Sequence, residues 1–141
     1  MSRYLLDTNV LVHWVNKSSG FERIEGRLTQ IPKDRIFVSA VTVWEVYRMT
    51  EKAEFLHKVS TRASKALMTA LEMFTHISLD SQMAALGGSL HAYLAHHGKT
   101  IGERDSMIAA TAMSKHLVMV TDNAKEFTRV PGIVIENWRA A

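Results

Sequence analysis

Arg3-Tyr4-Leu5-Leu6-Asp7-Thr8-Asn9 passes through three successive apolar residues and breaks at a carboxylate. A strand with one wet face alternates apolar and polar side chains. An unbroken apolar run suits a strand covered on both faces, as in a parallel sheet. Further strands are read at Ile36–Ser39, Phe74–Leu79, Leu117–Thr121 and, after Pro131-Gly132, Ile133–Ile135. Helical patterns fill the gaps at Val10–Asn16, Phe21–Gln30, Thr42–Thr50, Glu54–Glu72, Gln82–His97 and Arg104–Lys115. Pro32 stops the second of these and Gly98 the fifth. The last is rich in Ala and Met with few charges, which predicts a largely buried helix. Strands alternating with helices, joined by right-handed crossovers, predict a three-layer αβα fold with a mostly parallel sheet. Gly87-Gly88 falls inside a helical pattern, where small residues permit close packing.

A length of 141 residues predicts one domain, residues 1–141, with enough chain for a core of its own. Hydrophobic residues at 47% and charged residues at 22% exclude a disordered or low-complexity chain. The absence of Cys excludes a disulfide scaffold, a zinc ribbon and a thiol nucleophile. No apolar run approaches the roughly 20 residues that span a bilayer. Tyr4, Leu5 and Leu6 before Asp7 are too few for a signal-peptide core, so the expected location is cytoplasmic. A net charge of +3 is compatible with a nucleic-acid partner without requiring one.

In open parallel sheets, ligands bind outside the carboxyl ends of the strands. The first strand exits into Asp7-Thr8-Asn9, the second leads to Val43-Trp44-Glu45, and the fourth exits into Thr121-Asp122-Asn123. The buried helix opens with Gly102-Glu103-Arg104-Asp105. Asp7, Glu45, Asp105 and Asp122 are therefore predicted near one edge of one sheet. Each acid alone has a local explanation. Asp7 and Asp122 could cap helices, Thr42-Val43-Trp44-Glu45 fits a capping box, and Asp105 complements a helix dipole. Together, four converging carboxylates repel one another, and a divalent cation relieves that repulsion. Oxygen ligands without Cys suit Mg²⁺ or Mn²⁺. Acids plus Mg²⁺ are the equipment of phosphodiester hydrolysis.

At these residues the sequence resembles the PIN-domain ribonucleases, and within them the VapC-like toxins of toxin–antitoxin modules. Leu5-Leu6-Asp7-Thr8-Asn9-Val10 looks like the first family motif, and Ser39-Ala40-Val41-Thr42-Val43-Trp44-Glu45 the second. Ile101 through Ala110 looks like the third, and Val120 through Phe127 the fourth, in order along essentially the whole chain. The resemblance implies a Mg²⁺- or Mn²⁺-dependent endoribonuclease. Asp7 and Asp105 would be direct metal ligands, and Glu45 and Asp122 would bind through water or hold the attacking water. Asn9, Thr121 and Asn123 would orient the carboxylates. It also implies an RNA substrate, with tRNA the preferred candidate, a cognate antitoxin protein and a homodimer.

Arg104 and Lys125 lie beside the third and fourth motifs, where they could meet phosphates, although solvated charges are the commoner case. Trp14, Trp44 and Tyr47 could stack on bases, but their helical setting favours packing. Gly98-Lys99-Thr100 imitates a phosphate loop but has Tyr93 where the earlier Gly belongs. The alternative function is a PIN-like module that binds RNA or a partner without cutting, which would gain little from four mutually repelling acids.

Overall fold

In the computed structural model, which describes residues 1–56 and 61–140, the apolar runs pair as one five-stranded sheet. The strands are β1 (Tyr4–Leu6), β2 (Ile36–Ser39), β3 (Thr75–Ile77), β4 (Val118–Val120) and β5 (Ile135–Glu136). Their order is β3-β2-β1-β4-β5, and every pairing is parallel. Successive side chains face opposite sides of a sheet. Tyr4, Leu6, Ile36, Val38 and Val120 enter one core with Val10, Leu11, Ile24 and Leu71. Leu5 and Met119 enter the other with Leu90, Leu94, Ile108 and Phe127. Both faces are dry at β1, β2 and β4, which is why these strands read as continuous apolar runs; Thr75 and His76 of the edge strand β3 are exposed.

The helices are α1 (Thr8–Val15), α2 (Phe21–Gln30), α3 (Ala40–Phe55), α4 (Thr61–Glu72), α5 (Ser81–His96), α6 (Glu103–Ser114) and α7 (Ala124–Phe127). Helices α1, α2 and α4 cover the first core, and α5 and α6 the second. Helix α3 contributes Val46 to one and Val41 to the other. Gly87 on α5 lies close to α6: a Cβ there would meet Met107 Cα and Ser106 O at 3.3 Å. Gly88 faces open space, so the close packing expected of the pair belongs to its first member.

Two helix boundaries correct the sequence reading. Helix α3 starts at Ala40 because Ser39, in extended conformation, accepts from Val41 N at 3.0 Å. Thr42 and Glu45 are therefore inside the helix, and the expected capping box does not form. Helix α1 starts at Thr8, with Asp7 as its cap. The expected Glu54–Glu72 helix is occupied by the end of α3 and by α4; its residues 57–60 lie outside the described residues.

The chain moves from β1 outward through β2 to β3, then returns past both to β4. The direction reverses between β1 and β4, and a crevice forms at such a switch point, beyond the carboxyl ends. Those ends are Leu6 and Val120, paired in register, and they deliver Asp7 and Thr121 side by side. Among the described residues, no helix is long and apolar enough to cross a membrane.

Candidate active site

Asp7 is fixed from three directions. Its backbone N–H donates to Val120 O at 2.9 Å, which extends the β1–β4 pairing by one residue. Oδ1 accepts from Thr8 N at 2.8 Å as the cap of α1, and Oδ2 accepts from the Thr121 hydroxyl at 2.9 Å. Asp7 is only 3% exposed. Burial pushes its carboxyl up to about 7; the Thr121 bond opposes this, and the charges of Asp105 and Glu45 add to it. The two hydrogen bonds thus hold the carboxylate in place and offset only part of the cost of burying its charge.

Glu45 reaches the same cleft from the second turn of α3. Its Oε1 accepts from the Thr8 hydroxyl at 2.7 Å, and its Oε2 from Arg104 Nε at 3.2 Å. Thr8 Oγ1 also shares a hydrogen bond with Thr42 Oγ1 at 2.9 Å. Asp105 enters from the first turn of α6. Burial pushes its carboxyl up to about 6, with Glu126 and then Glu45 adding to the rise and Arg104 opposing it. Gly102 leaves the space this side chain needs: a Cβ there would lie 3.2 Å from Asp105 Oδ2.

The fourth acid facing Asp105 is Glu126, which the sequence reading passed over. It stands on the short helix α7, and its Oε2 accepts from Asn123 Nδ2. Asn123 N in turn donates to Thr121 Oγ1 at 2.9 Å. Thr121 therefore links Asp7 to the loop that presents Glu126. The signal that could have found it is helical spacing: Asn123 and Glu126 are three apart, so they share one face.

Asp122, expected as the fourth member, is turned aside. Its Oδ2 lies 2.8 Å from His13 Nε2 and 2.8 Å from Arg139 Nη1, so its charge is already compensated. Arg139 also donates through Nε to Ser19 O at 2.6 Å. Thr121 donates to Asp7, and Asn123 donates to Glu126. Asn9 is exposed, and the hydroxyl that meets Glu45 is that of its neighbour Thr8. Arg104 is half-exposed on Glu45, and Lys125 is exposed on α7.

The donor set suits a hard divalent cation. Every group is a carboxylate or hydroxyl oxygen, and the Asp7 and Asp105 carboxyls are raised by burial and by the charge of neighbouring carboxylates. Among the described residues, no three acidic or histidine side chains converge tightly enough to enclose an ion by themselves.

Comparison with known proteins identifies the family. A family model for the PIN domain matches residues 4–133. The ribonuclease VapC2 of Haemophilus influenzae is 33% identical over 143 residues, spanning 98% of this chain and 99% of that protein. The tRNA(fMet)-specific endonuclease VapC of Salmonella typhimurium is 33% identical over 138 residues, with 98% and 99% covered. The crystal structure of DNA-bound VapBC from Salmonella typhimurium superposes with a TM-score of 0.79 at 33% identity, again covering 98% and 99%.

Proposed function

The chain belongs to the PIN-domain family, among its VapC ribonucleases, and from that premise we propose that it is a Mg²⁺- or Mn²⁺-dependent endoribonuclease, the toxin of a toxin–antitoxin pair. The observation that carries this reading is the buried acidic cleft, where Asp105 and Glu45 press on Asp7, and Glu126 and Glu45 press on Asp105. A protein that only gripped RNA would place cations there.

Asp7 and Asp105 would hold the ion, with Glu45 and Glu126 beside them. A bound ion supplies an activated water and offsets charge that builds on the phosphate. The chain's own residues do the positioning. Thr121 and the first turn of α1 fix both oxygens of Asp7. Thr8 fixes Glu45, and Asn123 fixes Glu126. Arg104, held on Glu45, and Lys125, on α7, would meet backbone phosphates of the substrate.

tRNA is the proposed substrate class, supported by the activity named for the Salmonella relative. A cognate antitoxin, a homodimer and a cytoplasmic setting belong to the same reading. The exposed side chains of Tyr47 and Phe55 offer apolar contact area for the protein partners. The test is incubation of the purified protein with total RNA in Mg²⁺, in Mn²⁺ and in EDTA, with mapping of the cut ends. Discrete ends with either metal and none in EDTA are expected. RNA left intact with both metals overturns the reading. Light scattering that gives a monomer mass across a wide concentration range overturns the homodimer.

A further inference from the structure

Trp44 precedes Glu45 on α3 and is 52% exposed, a large indole left in water at the rim of the acidic cleft. Two guanidinium groups lie over its ring, Arg104 at 5.1 Å and Arg48 at 5.5 Å from the centroid. Arg104 also donates to Glu45, so one side chain joins the indole to the acidic cluster. Beside them opens a cavity of about 330 Å³ lined by Ala40, Val41, Trp44, Leu79, Arg104 and Met107. That size lies within the range of small-molecule sites.

We propose that this cavity receives one unpaired base of the RNA substrate, stacked against Trp44 and the Arg104 guanidinium. The inference rests on the ribonuclease reading and adds the part of the substrate that is recognised. The lining is apolar except for Arg104, which suits the flat face of a base and rejects a phosphate. Two cations at the rim suit the phosphates that flank that base. Aromatic rings and arginine planes are the platforms on which splayed-out bases stack. A base within a duplex is already stacked and cannot enter, so the cavity selects a loop or single strand over a helix. A second copy of this chain is the rival occupant. It would have to strip water from both guanidiniums to lie over this rim, at a cost that RNA phosphates offset.

The test is binding, measured in EDTA so that the RNA stays intact. The probes are a hairpin with 2-aminopurine placed at successive loop positions and a fully paired duplex of equal length. Trp44→Ala should weaken hairpin binding about tenfold, as expected for loss of one base–aromatic stack. It should also abolish the fluorescence change at one loop position. Trp44→Phe should restore most of both, and duplex binding should stay unchanged throughout. Ala40→Met, which fills the cavity and leaves the indole in place, should reproduce the Trp44→Ala loss. In cleavage assays the loss should appear in KM rather than kcat. Unchanged hairpin affinity in both Trp44→Ala and Ala40→Met overturns the proposal while leaving the ribonuclease reading standing. Equal weakening of hairpin and duplex overturns it too, as does a fall in assembly mass that alone accounts for the loss. Loop binding that depends on Trp44 without any cleavage in metal keeps the base site and removes the nuclease.

Discussion

The Thr121 hydroxyl donates to Asp7 and accepts from Asn123 N, so one small side chain aligns a buried carboxylate with the loop that carries Glu126. Asp7→Asn and Asp105→Asn remove an anionic oxygen at nearly constant volume. Each should abolish metal-dependent RNA cleavage while circular dichroism stays native. Glu126→Gln should lower cleavage about 10- to 100-fold, the range for groups that tune a metal site. Asp122→Asn should change cleavage far less, because its partners are His13 and Arg139. Equal losses at 122 and 126 would contradict this assignment. Asp7, Glu45 and Asp105 were legible in the sequence because strand exits and helix starts on one sheet edge are local features. The choice between Asp122 and Glu126 was not. It is set by Asn123, at φ −94° and ψ 46°, which bends the chain after β4. It also depends on His13 and Arg139, which are distant in sequence and adjacent only in the fold.

Helices α5 and α6 approach along Gly87, and α6 carries Asp105, so their packing distance sets the position of that carboxylate. Gly87→Ala would place a Cβ against backbone that cannot rotate away. The expected cost is about 1–3 kcal/mol, as for other overpacked cores. Cleavage should fall as well, as α6 shifts by a few tenths of an ångström. Gly88→Ala is the control. Its Cβ meets nothing within 4 Å, and it removes a helix-interior glycine, so it should raise stability by up to about 1 kcal/mol with activity kept. Thermal melts and RNA cleavage on both variants check the pair; equal effects would mean the contact is not limiting. The sequence marked both glycines as packing residues, but helical phase alone did not say which of them met α6. The start of α3 was misread for a related reason. Ser39 and Thr42 are both good caps, and the strand's length, set by pairing with β1 and β3, decides which one the helix uses.

Folding buries the Asp7 and Asp105 carboxyls among like charges, and this ties the stability of the whole molecule to pH and to metal. In the native state these groups titrate at about 7 and about 6. In an unfolded chain, Asp titrates near ~3.9. Between those values the native protein holds protons that the unfolded chain has released. Stability contributed by these protons is fully present below the unfolded pKa and is lost as pH rises through the native ones. In EDTA the melting temperature should therefore decline from about pH 4 to about pH 7.5 on account of these two groups. Asp7→Asn should show a shallower decline. An Mg²⁺ ion held by the ionised native site, and not by the unfolded chain, should raise the melting temperature. The gain should be small near pH 5, where protons compete for the same oxygens, and should grow towards pH 8. Differential scanning calorimetry of the wild type and Asp7→Asn across that range, with Mg²⁺ and with EDTA, measures all four slopes. A wild-type profile in EDTA that matches the Asp7→Asn slope would show that the buried charge is compensated within the chain. A Mg²⁺ gain independent of pH would place the ion away from these carboxylates.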